Sequence, residues 1–319
     1  MLLLSHAFTV MMDLSLAGTY DVLLVPLLVP KAILQEKWLP ANLRDGLLPI
    51  PVQILADLDL AQEASTASEP LHLIFLQLGY QHNTGPGKMW MGMRMNSFSE
   101  AKLEVPFMRH PAASDAGSHV PFLFKQTILS SSRIISTAAR YTPGARSLHA
   151  SFKPDKSPSS FEADAQSIQY TVADWLDAKA TRSGELDEAF EKRWDAVKRL
   201  AEAAWFAERS GQNIIEFHFN TSAPRIPPRT YVIDLTLNVQ RFTHESRLGA
   251  QAHTQAVAAA SSSSSQELNF KSIKAFRTKL DLTSDSFNVD QIVHRETTRG
   301  GEVRDASKSA PAVDLHQDL

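Results

Sequence analysis

Glu100 and Lys102 are the residues whose types and spacing best suit chemistry. They lie in the segment Phe98 to Phe107, where apolar and charged residues alternate. Successive side chains of a strand point to opposite faces, so both share one face with Phe98 and Glu104. A solvent-facing strand edge would explain these charges. The same face could instead line a closed cavity, where burial would shift the pKa values. That second alternative predicts Glu100 and Lys102 as catalytic residues.

Other catalytic residue types are absent or poorly arranged. The sequence contains no cysteine, which excludes disulfides, thiolate catalysis and Cys-ligated zinc. The 11 histidines are scattered, and none forms an H-x-x-x-H pair around a glutamate, so we predict no metal site and no cofactor. Ser130, Ser131 and Ser132 lack the glycine-flanked nucleophile elbow. A hydrolase using serine is therefore the weakest of the function classes considered.

Composition narrows the partners and the compartment. The chain has 319 residues, a formal charge of −3 and 43% hydrophobic residues, which fits one large domain with a tail. The near-neutral balance, without a basic stripe, predicts no nucleic-acid partner. No apolar run reaches the ~18 residues that span a bilayer, so we predict no membrane association. Met1 to Leu16 lacks the basic region of a secretory signal, which predicts a cytoplasmic protein. A weak secretory signal that ends near Ala17 remains an alternative. The chain could also form a homo-oligomer.

Several apolar segments must position the charged strand. Tyr20 to Val29 carries two prolines and is predicted to be an irregular or edge strand. The other predicted strands are Leu71–Tyr80, Phe98–Phe107, Phe122–Ile128, Arg146–Phe152, Ile214–Phe219 and Thr230–Val239.

One amphipathic helix is predicted over Glu185 to Arg209. It places Phe190, Trp194 and Val197 on one stripe. Acidic residues crowd its first turn, which suits the helix dipole. We expect this stripe to pack against a partner surface and leave the basic residues Lys192 and Arg199 in water.

The chain is predicted to divide into five parts. Residues 1–17 form an N-terminal segment and 18–247 the main domain. Residues 248–266 are a low-complexity run of Ala, Gln, His and Ser, typical of a disordered insertion. Residues 267–296 could return as a final strand of the domain. Residues 297–319 are predicted to be a disordered tail.

Two short motifs resemble the acetoacetate decarboxylase family. Phe98-Ser99-Glu100, followed by Leu103, Val105 and Pro106, resembles its pattern Tyr-x-Glu-x-x-Leu-x-Val-Pro. About forty residues later, Arg140-Tyr141-Thr142-Pro143-Gly144 resembles the family's Gly-Arg-Glu-x-x-Gly, with Ala139 in place of the first glycine. The chain most resembles divergent, fungal-type members with this domain, which are thought of as accessories of secondary metabolism.

The resemblance implies an α+β fold that is mainly antiparallel, with a closed barrel and outer helices. The barrel's cavity would hold a small carbonyl compound. The resemblance also implies that Glu100 and Lys102 are the catalytic residues. The same resemblance implies a set of substrate-binding residues, in which an arginine would hold a carboxylate: Phe98, Arg140, Arg146 and Ser147.

The family's Schiff-base lysine is missing from this sequence. The family continues its glycine with x-Pro-Lys-Lys, whereas this chain reads Gly144-Ala145-Arg146-Ser147-Leu148. An arginine stays protonated and cannot form an imine. Lys102 lies close to Glu100, but the carboxylates on either side would keep it protonated. We therefore expect no imine at the family position.

Two main function classes follow from this resemblance. The first is a lyase or cyclase, working as a decarboxylase, dehydratase or cyclase on a β-keto acid or polyketide-like substrate without the usual Schiff base. In it, Glu100 would move protons. The second is a non-catalytic small-ligand-binding or assembly module that kept the fold and lost the chemistry. A buried Glu100 beside a buried lysine would favour the enzyme.

Overall fold

The computed structural model describes residues 16–86, 95–113, 119–141, 144–154, 165–183, 188–244 and 266–295. The predicted tail, nearly all of the predicted insertion and most of the N-terminal segment lie outside the described residues.

Strands make up most of the described structure. In chain order they are β1 (Leu16–Pro30), β2 (Leu71–Pro86), β3 (Met95–Met108), β4 (Phe122–Ser130), β5 (Ser147–His149), β6 (Phe152–Lys153), β7 (Ser167–Val172), β8 (Leu176–Arg182), β9 (Trp205–Phe206), β10 (Asn213–Phe219), β11 (Ile226–Asn238) and β12 (Glu267–Asn288).

The helices are short, and apart from a helical segment at 289–295 that follows β12 they lie between the strands. They are α1 (Lys31–Ile33), which continues into a π-helical turn (Leu34–Trp38), a 3₁₀ turn (Ala41–Gly46), α2 (Val52–Asp57), α3 (Ala61–Thr66), α4 (Arg133–Tyr141), α5 (Phe190–Ala201) and α6 (Val239–Phe242). The prediction of a mainly β protein with some helices is thereby confirmed.

All strands of the described residues belong to one 12-stranded sheet. The order is β1-β2-β3-β4-β9-β10-β12-β11-β8-β7-β6, and β5 pairs with β4. β12 also pairs with β1. The strands β1, β2, β3, β4, β9, β10 and β12 therefore pair in a continuous ring. The pairings of β4 with β5 and with β9 are parallel, and the others along the sheet are antiparallel.

Both faces of β3 are covered. Leu103 and Val105 are buried, as the alternation predicts, in a core shared with residues of β7, β8 and β11. The opposite face carries the charges, and it is buried as well: Glu100 and Lys102 are each 4% exposed and Glu104 is 0% exposed. The alternative of a solvent-facing strand edge is therefore wrong, because the ring of strands covers the charged side.

β1 is a long interior strand and not the predicted edge strand. It pairs with β2 along its whole length and with β12 as far as Leu24. Pro26 lies beyond that last β12 partner, where β1 has a neighbour on one side only. A proline has no N–H to donate, so it is tolerated at such a position. The proline signal was therefore local and did not extend to the rest of the strand.

The predicted amphipathic helix is present but shorter than expected. α5 covers Phe190–Ala201 and buries Phe190, Trp194 and Val197, while Lys192 and Arg199 are exposed, as predicted. Beyond Ala201 the chain leaves the helix, because Trp205 pairs with both β4 and β10. Sheet pairing thus overrides the helical pattern of residues 202–209.

β12 occupies 267–288 of the segment that could return as a final strand. It pairs with β1, β10 and β11 and completes the ring. In the described part of the chain, no helix has the length and apolar character to cross a membrane.

Candidate active site

One face of the ring carries a cluster of polar and aromatic side chains. Directly opposite residues of antiparallel strands share a face. Gln81 lies opposite Tyr20, and Gln77 lies opposite Lys102. We call this side of the sheet the inner face. It consists of these side chains and of those whose aromatic rings or charged groups contact them: Tyr20, Gln77, Gln81, Phe98, Glu100, Lys102, Glu104, Lys125, Trp205 and Phe217.

The inner face holds two buried acid–ammonium pairs. Lys102 Nζ lies 2.8 Å from Glu100 Oε2. Lys125 Nζ contacts Glu104 Oε1, and both of these side chains are almost fully inaccessible. Burying an ion pair is costly unless its remaining hydrogen-bonding capacity is also satisfied. Such pairs are therefore a poor way to stabilise a core, and their position in a ring interior points to a functional role.

A glutamine supports each of the two carboxylates. Gln81 Nε2 donates to Glu100 Oε2 over 2.6 Å, and Gln77 Nε2 donates to Glu104 Oε2 over 2.8 Å. Both glutamines come from β2 and both glutamates from β3. Each carboxylate thus accepts from one ammonium and one amide, which fixes its orientation.

Aromatic rings surround the two ammonium groups. Lys102 Nζ lies 4.5 Å from the centre of the Tyr20 ring, and Lys125 Nζ lies 4.5 Å from that of Trp205. The Phe217 ring is shared, at 5.3 Å from Lys102 Nζ and 4.9 Å from Lys125 Nζ. Aromatic faces attract cations without supplying a counter-charge.

Lys125 is strongly altered by this environment. Its complete burial lowers the pKa of its ammonium group to about 8. Glu104 opposes the shift, and the neighbouring Lys102 cation adds to it. With a pKa near 8, on the order of a tenth of Lys125 is neutral at pH 7. A neutral primary amine in a buried site is a nucleophile towards carbonyl groups.

A β-bulge in β4 turns Lys125 towards the inner face. Leu103 lies opposite Thr127, but the next residue, Glu104, lies opposite Lys125, so that Gln126 is the extra residue. In a regular ladder Gln126 would face Glu104, and Lys125 would point to the opposite side of the sheet.

The bulged residue is held from the other side of β4. Gln126 Nε2 donates to the backbone carbonyls of Trp38, over 3.1 Å, and Phe242, over 2.6 Å. Arg146 donates to Thr127 Oγ1, over 3.2 Å, and to the Phe242 carbonyl, over 3.0 Å. Arg146 therefore braces the bulge that presents Lys125.

We expect the Arg146→Met variant to lose about 2–3 kcal/mol of unfolding free energy, because its guanidinium donates several charge-assisted hydrogen bonds. Chemical denaturation measures this loss. The matched control is Arg241→Met, which removes only an ion pair to the exposed carboxylate of Asp174. That control should cost less than about 1 kcal/mol. Equal losses in both variants would show that Arg146 does not brace the bulge.

The predicted site residues fall into two groups. Phe98, Glu100 and Lys102 lie together on the inner face, and Phe98 is 5% exposed. Arg140 is exposed on α4 and donates to the backbone carbonyl of Ser147. Arg146 braces β4 from the side opposite the inner face. The substrate contacts of both arginines stay predictions.

Ser147 lies at the position where the motif resemblance would lead one to expect a lysine. It pairs with Ile128 of β4, which in turn lies opposite Lys102. Ser147 is therefore about 10 Å from Lys102 along the sheet, two strand spacings away. Its side chain is fully buried, and its Oγ has no hydrogen-bond partner among the described residues.

Sequence reasoning missed Lys125. The available signal was a lone charge in Phe122–Ile128, an otherwise uncharged strand. The strand was predicted, but its register against β3 was not, so the lysine had no assigned face. Within the residues that the structure describes, no group of three or more His, Asp or Glu side chains could hold a metal ion.

No protein-family model and no curated protein matches this sequence. Solved structures with a similar arrangement include acetoacetate decarboxylase from Legionella pneumophila, at 11% identity and a TM-score of 0.47, covering 86% of this chain and 87% of that one. The enduracididine biosynthesis enzyme MppR complexed with pyruvate has 11% identity and a TM-score of 0.45, covering 87% and 91%. A further acetoacetate decarboxylase has 9% identity and a TM-score of 0.41, covering 86% and 89%. At these values the likeness assigns no activity to this chain.

Proposed function

We propose that this chain is a lyase- or cyclase-type enzyme that acts on a carbonyl compound of the β-keto acid or polyketide class, with Lys125 as its nucleophile. The observation that supports the proposal is the burial of Lys125 between a carboxylate and a second cation, which lowers its pKa to about 8. The ring of paired strands would then be a closed barrel of the acetoacetate decarboxylase type. Secondary metabolism is the setting that the motif resemblance implies.

The first step would be imine formation at Lys125. The neutral amine adds to the carbonyl carbon and forms a C–N bond, and the carbonyl oxygen leaves as water after taking up one proton from the amine nitrogen and one from solvent. The resulting iminium carries a positive charge next to the α-carbon of the substrate. It can accept the electron pair of a breaking α-C–H or C–C bond as an enamine. This relocates the Schiff base away from Ser147, where no amine exists.

Glu100 and Lys102 would serve the later proton transfers. Glu100 lies on the same strand face as Glu104, the partner of Lys125. A carboxylate there can accept an α-proton and return it to the enamine. Lys102 would keep a positive charge close to Lys125, which disfavours protonation of that amine. After reprotonation, water hydrolyses the iminium and releases Lys125.

The alternative is a non-catalytic ligand-binding module on the same fold. The observation that favours it is the pairing of all four charges on the inner face, Lys102 with Glu100 and Lys125 with Glu104. A fully paired network can be structural. The module would bind small carbonyl compounds without forming a covalent bond to them.

Borohydride trapping tests the proposal. The protein is incubated with a panel of ketones and β-keto acids, reduced with borohydride, digested and mapped by mass spectrometry. We expect a reduced adduct on Lys125. Samples without a carbonyl compound, or without borohydride, are the controls. An adduct on Lys102 instead would contradict the assignment of the nucleophile. Turnover without an adduct would favour proton-transfer catalysis through Glu100, and neither adduct nor turnover would favour the binding module.

A further inference from the structure

We infer that the ligand of the inner face is an uncharged, hydroxylated carbonyl compound and not the anion of a keto acid. This narrows the substrate class and rests on the function proposed above. It is carried by the charge balance of the inner face and by the buried polar atoms that have no partner there.

The charges of the inner face already cancel. Two carboxylates, Glu100 and Glu104, face two ammonium groups, Lys102 and Lys125. The charged groups that most influence the pKa of Lys125 belong to this same set: Glu104, Lys102 and Glu100. A carboxylate entering this region would lose its hydration, and the described residues of the inner face offer it no unmatched cation. Once Lys125 is neutral, as the attack on a carbonyl requires, the cluster has one excess negative charge, which repels an anion.

The arginines that could hold a carboxylate are engaged away from this face. The Arg146 guanidinium binds the backbone carbonyls of Phe242 and Arg241, on the far side of β4. Arg140 donates to the Ser147 carbonyl, and its side chain is exposed on α4.

Four neutral polar atoms on the inner face or directly beside it have no hydrogen-bond partner among the described residues. They are Tyr20 Oη, Gln77 Oε1, Ser147 Oγ and Trp205 Nε1. All four side chains are at least nine-tenths buried: Tyr20 and Ser147 are 0% exposed, Gln77 1% and Trp205 4%. A buried polar atom without a partner has lost its hydration with no compensation, so a ligand that hydrogen-bonds to these atoms gains binding free energy.

The chemistry of these atoms selects the ligand. Gln77 must turn its N–H group to the Glu104 carboxylate, which only accepts, so its unpartnered atom is the amide oxygen. An amide oxygen accepts hydrogen bonds, and a carboxylate has no hydrogen to offer it. The Trp205 indole only donates. The ligand must therefore present both a donor, such as a hydroxyl, and an acceptor, such as a carbonyl or hydroxyl oxygen.

Three small probes separate these properties. All three contain a methyl ketone. In addition, 4-hydroxybutan-2-one carries a hydroxyl group and acetoacetate carries a carboxylate, whereas butan-2-one has no second functional group. Equilibrium binding to the whole chain is measured by ligand-observed NMR titration. We expect the hydroxyketone to bind at least about 10-fold more tightly than acetoacetate and about 2- to 10-fold more tightly than butan-2-one, the range expected for one neutral hydrogen bond.

Conservative variants locate the effect. Tyr20→Phe and Ser147→Ala each remove one hydroxyl, and both should narrow the difference between the hydroxyketone and butan-2-one. Tighter binding of acetoacetate than of the hydroxyketone would overturn the inference, and so would the absence of binding by all three probes. Borohydride trapping with the same probes is scored separately. The expected order of affinity without an adduct on Lys125 would leave this inference standing and refute the imine proposal. An adduct on Lys125, together with tightest binding of acetoacetate, would support the imine proposal and overturn this inference.

Discussion

Replacing Lys125 with methionine should reduce borohydride trapping by on the order of 10³-fold, because the variant has no amine at the position that faces the carbonyl carbon. Methionine is chosen since its unbranched chain fills a similar volume beside Trp205 and Phe217. The Lys102→Met variant is the matched control. It removes the other ammonium group of the inner face and should still form the adduct on Lys125. Quantitative peptide mapping after reduction measures both.

Stability has to be followed alongside trapping, since the Lys125→Met variant leaves the Glu104 carboxylate buried without its cation. Breaking a buried pair on one side costs about 3–5 kcal/mol. The double variant Lys125→Met with Glu104→Gln removes the charge as well, and it should recover much of this loss without recovering the adduct. An adduct of unchanged yield in a folded Lys125→Met protein would assign the nucleophile to another lysine.

The pH midpoint of trapping should move in opposite directions in two variants of the inner face. Only the neutral amine attacks, so in the wild type the trapping rate should rise with pH through a midpoint of about 8, the pKa of Lys125. Glu104 raises that pKa, so Glu104→Gln should move the midpoint to lower pH by about one unit or more. Lys102 lowers it, so Lys102→Met should move the midpoint to higher pH.

Glu100→Gln provides the graded control for this series. Glu100 acts on the pKa of Lys125 in the same direction as Glu104, but it is the weakest of the contributing charges. Its replacement should therefore move the midpoint to lower pH by less than the Glu104 replacement does. Rates of borohydride trapping recorded between about pH 6 and about 11.5 give all four midpoints, a range that brackets the ordinary and shifted pKa of lysine. A common midpoint in all four proteins would show that Lys125 does not control the reaction.

Local sequence patterns were sufficient for several of the long strands and for the stripe of the long helix, but β7 and β8 were not predicted. Alternation placed Leu103 and Val105 in the core, since a strand's side-chain period is fixed by the backbone. The helical spacing placed Phe190, Trp194 and Val197 against the sheet. The end of that helix was wrong, because Trp205 is drawn into pairing with two other strands. Such pairing depends on residues far away in sequence.

Only part of the candidate site could be predicted from the sequence, again because strand pairing depends on residues far away in the chain. Glu100 and Lys102 could be assigned to one face, because two residues of one strand keep their relation in any fold. Whether that face meets solvent or other side chains depends on β12, which returns from the far end of the chain to pair with β1. This pairing completes the ring of strands that covers the charges, and burial is the main cause of the lowered pKa of Lys125.

The sequence by itself determined which side chains are available: a strand with alternating charges, a lone lysine in a neighbouring strand, and no amine at Ser147. It also fixed local backbone features such as Gly144, which adopts a φ of 69° that favours glycine. Only the tertiary structure decided which of these groups meet. The β-bulge at Gln126 turns Lys125 to the same face as Glu104. The backbone carbonyls of Trp38 and Phe242 accept hydrogen bonds from Gln126 and keep the bulge in place. A single extra residue reverses the face of every side chain beyond it, and no local pattern encodes where that residue falls.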